Sequence, residues 1–231
     1  MIRTILFDLD NTLLDFNRAE RQALTRTLQE LGIEPKEATL RRYSELNLTQ
    51  WKLLEQGKIT RPQVKLRRYQ LLFQELGVDC PAEQAARLYE SYLAEGHFFM
   101  EGAEALLREL APRYRLYLVT NGTAQVQQKR LRSAGLGAWF QGYFISEAIG
   151  FDKPRKEFFD LCFSVIPAFA PEETVIVGDS LSSDIQGGKN AGIRTIWFHP
   201  GEPEEGQAAH DPVPDYTVRS LGEIPGLVGR L

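Results

Sequence analysis

The first twelve residues place the strongest constraint on how this chain can fold. The run Thr4–Phe7 is apolar and leads directly into Asp8 and Asp10, two acids separated by one residue. A short apolar run bounded by turn-forming residues is typical of a strand that is buried on both faces of a parallel sheet. Open α/β sheets bind their ligands at the carboxyl ends of the strands, so both acids would lie at a ligand site. Alternatively, they serve only as capping or turn residues.

Helical periodicity replaces the strand pattern after Thr12. Apolar residues recur at helical spacing in four consecutive segments, the first three of which end at Gly32, Gly57 and Gly77. Thr60 is a suitable N-cap for the third helix. Four helices with short connections predict a small helical bundle over residues 15–98.

Strands and helices alternate from Gly102 onward. The predicted strands are Arg115–Val119, Tyr143–Ile145, Thr174–Val177, Arg194–Trp197 and Tyr216–Val218. A helix is predicted over residues 154–166, and a surface loop over residues 200–214, which are rich in Gly, Pro and charge. Alternating strands and helices predict an α/β protein with a Rossmann-like parallel sheet, formed by residues 1–14 and 99–231. The four-helix segment is then an insertion into this sheet domain.

Composition and charge exclude several functional classes. The chain has 231 residues and a formal net charge of −4, which gives no reason to expect a nucleic-acid polymer or an anionic membrane as partner. Cys80 and Cys162 lie far apart and no CxxC pair occurs, which argues against a disulfide framework or a zinc site. No signal-peptide pattern and no run of about 18 apolar residues occurs. We therefore expect a cytoplasmic protein.

Polar residues follow four of the predicted strands, and the carboxyl ends of parallel strands meet at one edge of a sheet. These residues are Asp8, Asp10, Thr120, Asn121, Lys153, Asp179 and Asp184. Four carboxylates cannot all remain ionised together without cationic charge. Lys153 supplies one positive charge, and Mg²⁺, which prefers oxygen ligands and substrate phosphate, would supply the rest. Carboxylates, a hydroxyl, amides and a lysine together predict a phosphoryl-transfer site.

These segments resemble the four motifs of the haloacid dehalogenase (HAD) superfamily, in the same order. The motifs are Asp8–Thr12, Thr120–Gly122, Lys153–Pro154 and Gly178–Asp184. The inserted helices resemble the type-1 cap of that superfamily. Within it the chain most resembles the YjjG-type pyrimidine 5′-nucleotidases, through Asn47–Trp51, Gly57–Thr60, Ile145–Glu147 and Asp184–Gly188. The mammalian N-acetylneuraminate-9-phosphatase is similar in the core, so likeness in the core leaves the substrate open.

The resemblance implies a catalytic role for each motif. Asp8 would attack phosphorus and form an aspartyl-phosphate, and Asp10 would protonate the leaving alcohol and then deprotonate the hydrolytic water. Lys153 would neutralise the nucleophile and the phosphoryl group. The residues that bind phosphate oxygens would be Thr120, Asn121, Gly122 and Lys153.

The same resemblance implies a metal site. Asp8, Asp179 and the backbone carbonyl of Asp10 would hold Mg²⁺. Asp184 would act through water or through Lys153 rather than by direct contact with the metal. Alternatively, Asp184 has only a structural role, as an acid that interacts favourably with the dipole at the start of a helix.

We therefore predict a Mg²⁺-dependent phosphomonoester hydrolase acting on nucleoside 5′-monophosphates, a monomer or a homodimer whose partner is a small phosphorylated metabolite. Three alternatives stay open: a phosphatase of another metabolite such as a sugar phosphate or N-acetylneuraminate 9-phosphate, a phosphomutase, and a phospho-acceptor switch. Receiver domains combine similar residues, but they are about half as long and lack the inserted helices. The sequence leaves the physiological substrate undetermined.

Overall fold

The structure is a computed structural model that describes residues 1–201 and 212–231. The chain folds into two compact units: Met1–Asp15 with Phe98–Leu231, here called the sheet unit, and Phe16–His97, here called the helical unit. Most of the predicted loop at 200–214 lies outside the described residues. None of the described helices is long and apolar enough to span a bilayer.

Four helices form the helical unit between residues 16 and 97. They are α1 (Phe16–Glu30), α2 (Glu37–Glu55), α3 (Arg61–Leu76) and α4 (Ala82–Leu93). The predicted N-cap of the third helix is confirmed, since Thr60 and Gln63 form a capping box that satisfies backbone N–H groups at the start of α3. Helix α1 packs on α4, and α2 packs on α3.

Polar, charged and aromatic side chains, all of them buried except that of Ser44, contact one another in the helical unit and are here called the tyrosine cluster. It consists of Glu20, Ser44, Asn47, Arg68, Tyr43, Tyr69 and Tyr89. The three tyrosines are fully buried, and the hydroxyls of Tyr43 and Tyr69 are 2.7 Å apart. The guanidinium of Arg68 lies 4.8–5.8 Å from the three ring centroids. Arg68 therefore belongs to the core of its bundle and not to its solvated surface.

Six parallel strands form one sheet within the described residues. They are β1 (Thr4–Phe7), β2 (Arg115–Thr120), β3 (Gly142–Ile145), β4 (Thr174–Gly178), β5 (Arg194–Phe198) and β6 (Tyr216–Val218). Their order in the sheet is β3-β2-β1-β4-β5-β6, and every adjacent pair is parallel. The predicted α/β class with a parallel sheet is thus confirmed, and β1 lies at its centre between β2 and β4.

Side chains of the central strands alternate between the two faces of the sheet, as the period of two for a strand requires. Ile5 and Phe7 of β1 pack in one apolar core, and Leu6 packs in the other. Both faces are covered, so all four residues of β1 are buried. This arrangement explains why the strand appears in the sequence as a continuous apolar run, because polar side chains would be buried on either face.

Shorter helices cover the two faces of the sheet. They are α5 (Ala103–Leu110), α6 (Ala124–Ser133), α7 (Ser146–Ile149), α8 (Lys156–Val165), α9 (Gln186–Asn190) and α10 (Ile224–Val228). The helix predicted over residues 154–166 is shorter than expected, because Arg155 has extended backbone angles and precedes the first helical residue. Residues Leu181–Ile185 form a π-helical turn before α9, which the sequence pattern did not predict.

Candidate active site

All eight predicted site residues lie in the sheet unit, near the carboxyl ends of β1, β2 and β4. Asp8 directly follows β1, and its backbone N–H donates to the carbonyl of Val177 in β4 at 2.9 Å. Thr120 is the last residue of β2, and Asp179 directly follows β4. The motifs converge because β1 pairs with both β2 and β4.

Lys153 connects two of the acids. Its ammonium donates to Asp8 Oδ1 at 2.6 Å, to Asp184 Oδ1 at 2.7 Å and to the carbonyl of Val119 at 2.9 Å. The side chain of Lys153 is only 1% exposed, so its charge interacts with the two carboxylates with little screening by water. Burial lowers the pKa of Lys153, but Asp184 and Asp8 more than offset this and raise it above its ordinary value. Lys153 is therefore a fixed cation.

Asp8, Asp179 and Asp184 form an acidic cluster. Each contributes a carboxylate oxygen, and these oxygens lie within 4.8 Å of one another. Burial and the neighbouring charges of Asp184 and Asp10 raise the pKa of Asp8 from 3.8 to about 7, against the opposing effect of Lys153. Burial, with Asp8 and Asp184, likewise raises the pKa of Asp179 well above 3.8. The single positive charge of Lys153 therefore does not balance the three acids.

The donor set of the acidic cluster fits a hard divalent cation. Carboxylate oxygens are the ligands that Mg²⁺ prefers, and one or two of them suffice when substrate oxygens complete the shell. Both oxygens of Asp184 already accept protein hydrogen bonds, Oδ1 from Lys153 and Oδ2 from the backbone N–H of Ser180 at 3.1 Å. Asp8 and Asp179 are therefore better placed than Asp184 to contact a metal directly.

The segment after β4 is shaped to bring Asp179 and Asp184 together. A Cβ atom at position 178 would lie 2.3 Å from the carboxyl carbon of Asp184, so only Gly178 leaves room for this side chain. The indole N–H of Trp197 donates to the carbonyl of Asp179 at 2.7 Å. The backbone on both sides of the Asp179 side chain is therefore held in place.

Asn121 lies beside Lys153 and contacts its backbone. The Asn121 side chain donates to the carbonyl of Lys153 and accepts from its N–H, both at 2.8 Å. This pair of bonds fixes the lysine on its loop. In the structure the carboxamide of Asn121 is thus engaged with Lys153, and a contact between this residue and phosphate would use its backbone N–H.

The carboxyl group of Asp10 faces helix α6 rather than Lys153. Arg130 donates to Asp10 Oδ1, and Gln127 donates to Asp10 Oδ2 at 2.7 Å. The Gln127 amide also donates to the hydroxyl of Thr120 at 2.9 Å. Sequence reasoning missed Gln127 and Arg130. The one sequence feature that could have indicated them is their spacing of three residues on the helix after Thr120–Gly122, because residues at this spacing lie on the same face of a helix.

Comparisons with known proteins agree with this site. A family model described as haloacid dehalogenase-like hydrolase matches residues 2–192. HAD-hydrolase YfnB of Bacillus subtilis is 39% identical over 222 residues, which cover 96% of this chain and 93% of YfnB. Pyrimidine 5′-nucleotidase PynA of Streptococcus pneumoniae is 40% identical over 95% of this chain and 92% of PynA. Pyrimidine 5′-nucleotidase YjjG of Escherichia coli is 32% identical over 97% of this chain and 96% of YjjG.

The fold is similar to a solved structure along nearly the whole chain. The crystal structure of B. subtilis YfnB bound to magnesium, which reveals interdomain movement in that protein, superposes with a TM-score of 0.91 and 38% identity over 98% of both chains. The family model spans most of the residues, and the relatives cover the chain almost completely. The chain therefore belongs to the haloacid dehalogenase-like hydrolases, and it is an enzyme of that family.

Proposed function

We propose that this enzyme is a Mg²⁺-dependent phosphomonoesterase that acts on nucleoside 5′-monophosphates through an aspartyl-phosphate on Asp8. The observation that carries the proposal is the hydrogen bond from Lys153 to Asp8 inside a cluster of three acids for which Lys153 supplies a single positive charge. A fixed ammonium and a bound cation screen the carboxylate from an incoming phosphate dianion, so that one anion can attack another.

The first step would form a bond between Asp8 and phosphorus. Because Lys153 donates to Asp8 Oδ1, we assign the attack to Oδ2. The bond from phosphorus to the leaving oxygen breaks, and Asp10 gives its proton to that oxygen. Thr120 and Lys153 would hold the phosphoryl oxygens during this step.

The second step would release phosphate and regenerate Asp8. Asp10 takes a proton from a water molecule, the water oxygen attacks phosphorus, and the bond to Asp8 breaks. We assign the binding of Mg²⁺ to Asp8, Asp179 and the backbone carbonyl of Asp10, where the bound ion would supply positive charge that offsets the negative charge of the phosphoryl group. Asp184 acts through Lys153, which it contacts at 2.7 Å.

The substrate class is inferred from the relatives. PynA and YjjG are both named as pyrimidine 5′-nucleotidases, which supports nucleoside 5′-monophosphates, and pyrimidine ones first. As part of the proposal we assign catalysis to residues 1–14 and 99–231, and substrate choice to the cap helices at 15–98. We place the enzyme in the cytoplasm, where such small metabolites occur, as a monomer or a homodimer.

A screen for phosphate release tests the substrate class. Chelator-treated protein would be mixed with Mg²⁺ and with pyrimidine and purine 5′-monophosphates, sugar phosphates and N-acetylneuraminate 9-phosphate. We expect the highest kcat/KM for pyrimidine 5′-monophosphates and no turnover in EDTA. Isomerised sugar phosphate without free phosphate would identify a phosphomutase instead. A stable phosphoprotein without turnover would identify a phospho-acceptor switch.

The variant Asp8→Asn tests the covalent mechanism. We expect it to lower kcat by at least about a thousandfold, because the amide cannot act as the nucleophile. The matched control is Asp160→Asn, an exposed acid of α8 that pairs with Lys156, which should keep wild-type activity. Appreciable Mg²⁺-dependent phosphate release by Asp8→Asn would exclude an aspartyl-phosphate on this residue.

A further inference from the structure

Helix α6 carries two buried polar side chains on one face, Gln127 and Arg130. Gln127 is 2% exposed and Arg130 is completely buried, whereas Gln128 and Lys129 between them are exposed. Burying a guanidinium costs free energy unless it is paired and hydrogen-bonded. Because both side chains are buried, they differ from the solvated polar residues of a surface helix. Their hydrogen-bond partners indicate their role.

Together the two side chains enclose the carboxyl group of Asp10. Arg130 donates from Nη1 to Asp10 Oδ1 and to Gln127 Oε1, the latter at 2.9 Å. Gln127 donates from Nε2 to Asp10 Oδ2 at 2.7 Å. Each carboxyl oxygen therefore has its own donor, and the bond from Arg130 fixes which end of the Gln127 amide faces Asp10.

The same amide also holds Thr120. Gln127 Nε2 donates its second hydrogen to Thr120 Oγ1 at 2.9 Å. The Thr120 hydroxyl accepts this bond, so its own hydrogen is not used in the contact with Gln127. A single carboxamide thus sets the direction of the Asp10 carboxyl and of the Thr120 hydroxyl.

The side chain of Gln127 occupies the space that a Cβ atom at position 122 would need. A Cβ atom there would lie 2.5 Å from Gln127 Nε2 and 2.5 Å from Gln127 Cγ. Both are atoms of a buried side chain that bonds to two other groups, so it cannot move aside without breaking those bonds. Gly122 is therefore required next to Gln127, which is a different role from the phosphate contact expected for it.

We propose that Gln127 and Arg130 are positioning residues that align the proton-transfer carboxyl of Asp10 with the phosphate-binding hydroxyl of Thr120. The inference rests on the proposed phosphomonoesterase function. A proton donor contributes only when its oxygen is within hydrogen-bond reach of the leaving group, and Asp10 lies on a loop after β1, where its rotamer depends on such supports. Arg130 acts on Asp10 and on Gln127, whereas Gln127 acts on both catalytic groups.

The test compares two leaving groups in the full chain with Mg²⁺. Loss of p-nitrophenolate from p-nitrophenyl phosphate needs little protonation, whereas loss of the 5′-alkoxide from a nucleoside 5′-monophosphate needs a proton. The constant kcat/KM reports the steps up to departure of this group. We expect Arg130→Met to lower kcat/KM for the nucleotide by about 10- to 100-fold more than for p-nitrophenyl phosphate. Gln127→Leu should lower both, because Thr120 also loses its support.

Two further variants separate positioning from loss of structure. Arg130→Lys keeps a cation but not the planar fork, so it should restore part of the nucleotide activity that Arg130→Met loses. Gln127→Asn keeps the amide but shortens its reach, and serves if Gln127→Leu does not fold. Lys129→Met, an exposed neighbour on α6, is the matched control and should change neither substrate.

The outcomes distinguish this inference from the proposed function. Equal losses for the two substrates, or no loss, in Arg130→Met with wild-type turnover intact would overturn the positioning role and leave the phosphomonoesterase standing. A wild-type protein that releases no phosphate from either substrate with Mg²⁺ would overturn both.

Discussion

The sheet unit and the helical unit each bury charged side chains, and the two groups differ in how their charges are compensated. In the acidic cluster, Asp8, Asp179 and Asp184 face the single ammonium of Lys153. In the tyrosine cluster, Glu20 and Arg68 are the two buried charges of residues 16–97. Three acids against one base leave a negative excess, whereas one acid against one base leaves none.

Hydrogen bonds within the tyrosine cluster link its two charged residues, Glu20 and Arg68. Asn47 donates to Glu20 Oε1 at 2.7 Å and accepts from Arg68 at 2.8 Å, so it links the two charges. The hydroxyl of Ser44 donates to the other oxygen of Glu20. Burial raises the pKa of Glu20, and Ser44, Asn47 and Arg68 oppose that rise. The polar groups that stabilise Glu20 therefore all come from the helical unit itself.

This difference in charge balance distinguishes a buried ligand-binding site from a buried ion pair with a structural role. A pair of balanced charges with good hydrogen bonds needs nothing further, although it contributes little net stability compared with apolar packing. A buried excess of one sign is relieved by a change in protonation or by a bound ligand of opposite charge, so such an excess marks a candidate ligand site. The acidic cluster fulfils this criterion, and the tyrosine cluster does not.

Removing the base from each cluster tests this difference most strongly. We expect Lys153→Met and Arg68→Met each to lower the free energy of unfolding by about 3–5 kcal/mol, because each leaves buried carboxylate charge without its partner. Mg²⁺ should recover part of the loss in Lys153→Met and none in Arg68→Met. Urea denaturation followed by circular dichroism, in EDTA and in Mg²⁺, measures both.

The control for this pair is Lys156→Met, which removes an exposed lysine that contacts Asp160 and should leave the denaturation midpoint unchanged. If Mg²⁺ reduces the deficit of both variants, or of neither, the distinction between the two clusters does not hold.

The pH dependence of metal stabilisation sharpens the same comparison. Folding raises the pKa of Asp8 from 3.8 to about 7 and that of Asp179 well above 3.8. Without metal, these two acids therefore bind more protons in the folded protein than in the unfolded chain between about pH 4 and 7, and their contribution to stability falls as pH rises through this window. The slope is at most about 1.4 kcal/mol per pH unit for each site.

Mg²⁺ competes with these protons, so the rise in Tm that Mg²⁺ produces should grow from pH 5 to pH 8. Thermal melts with and without Mg²⁺ across this range give the measurement. The pKa of Glu20 is also raised, but its effect is the same in both series and cancels in the difference. Asp179→Asn should flatten the dependence, and a Tm increase that is constant with pH would contradict the expectation.

The smallest expected effect concerns a hydroxyl of the tyrosine cluster. Tyr43→Phe removes the partner of the Tyr69 hydroxyl at 2.7 Å, and should cost about 1 kcal/mol because a buried polar group is left without that bond. Phosphate release with Mg²⁺ should remain at the wild-type rate. A large loss of activity with little loss of stability would show that this cluster serves catalysis after all.

Much of the sheet unit could be predicted from local sequence pattern. Each predicted strand is present to within two residues. A short apolar run between turn residues strongly favours a buried strand, so its position can be read from the sequence. The predicted helix at 154–166 was wrong at its N-terminal boundary, since it begins at Lys156. Its periodicity continued toward Pro154, and periodicity locates a helix better than it locates the helix ends.

The partners of polar side chains were harder to predict from the sequence than the strands were. Arg68 is one of eight Lys and Arg residues between positions 41 and 68, against two Glu, and such a segment favours a solvated basic face. In the structure Arg68 is buried, Arg42 pairs with Glu75, and Lys65 pairs with Glu90. Helical spacing identified the bundle but could not assign these pairs, because each depends on which helices become neighbours.

The sequence by itself determined the parallel sheet, the inserted helices, the strand ends that are followed by Asp8, Asp10 and Asp179, and the loop that carries Lys153, because hydrophobic periodicity and turn residues act over a few positions. Only the tertiary structure decided that Asp10 meets Gln127 and Arg130, which are 117 and 120 residues away. A polar side chain on a helix can equally be solvated. Which of these occurs is decided by the close packing of elements that are distant in sequence.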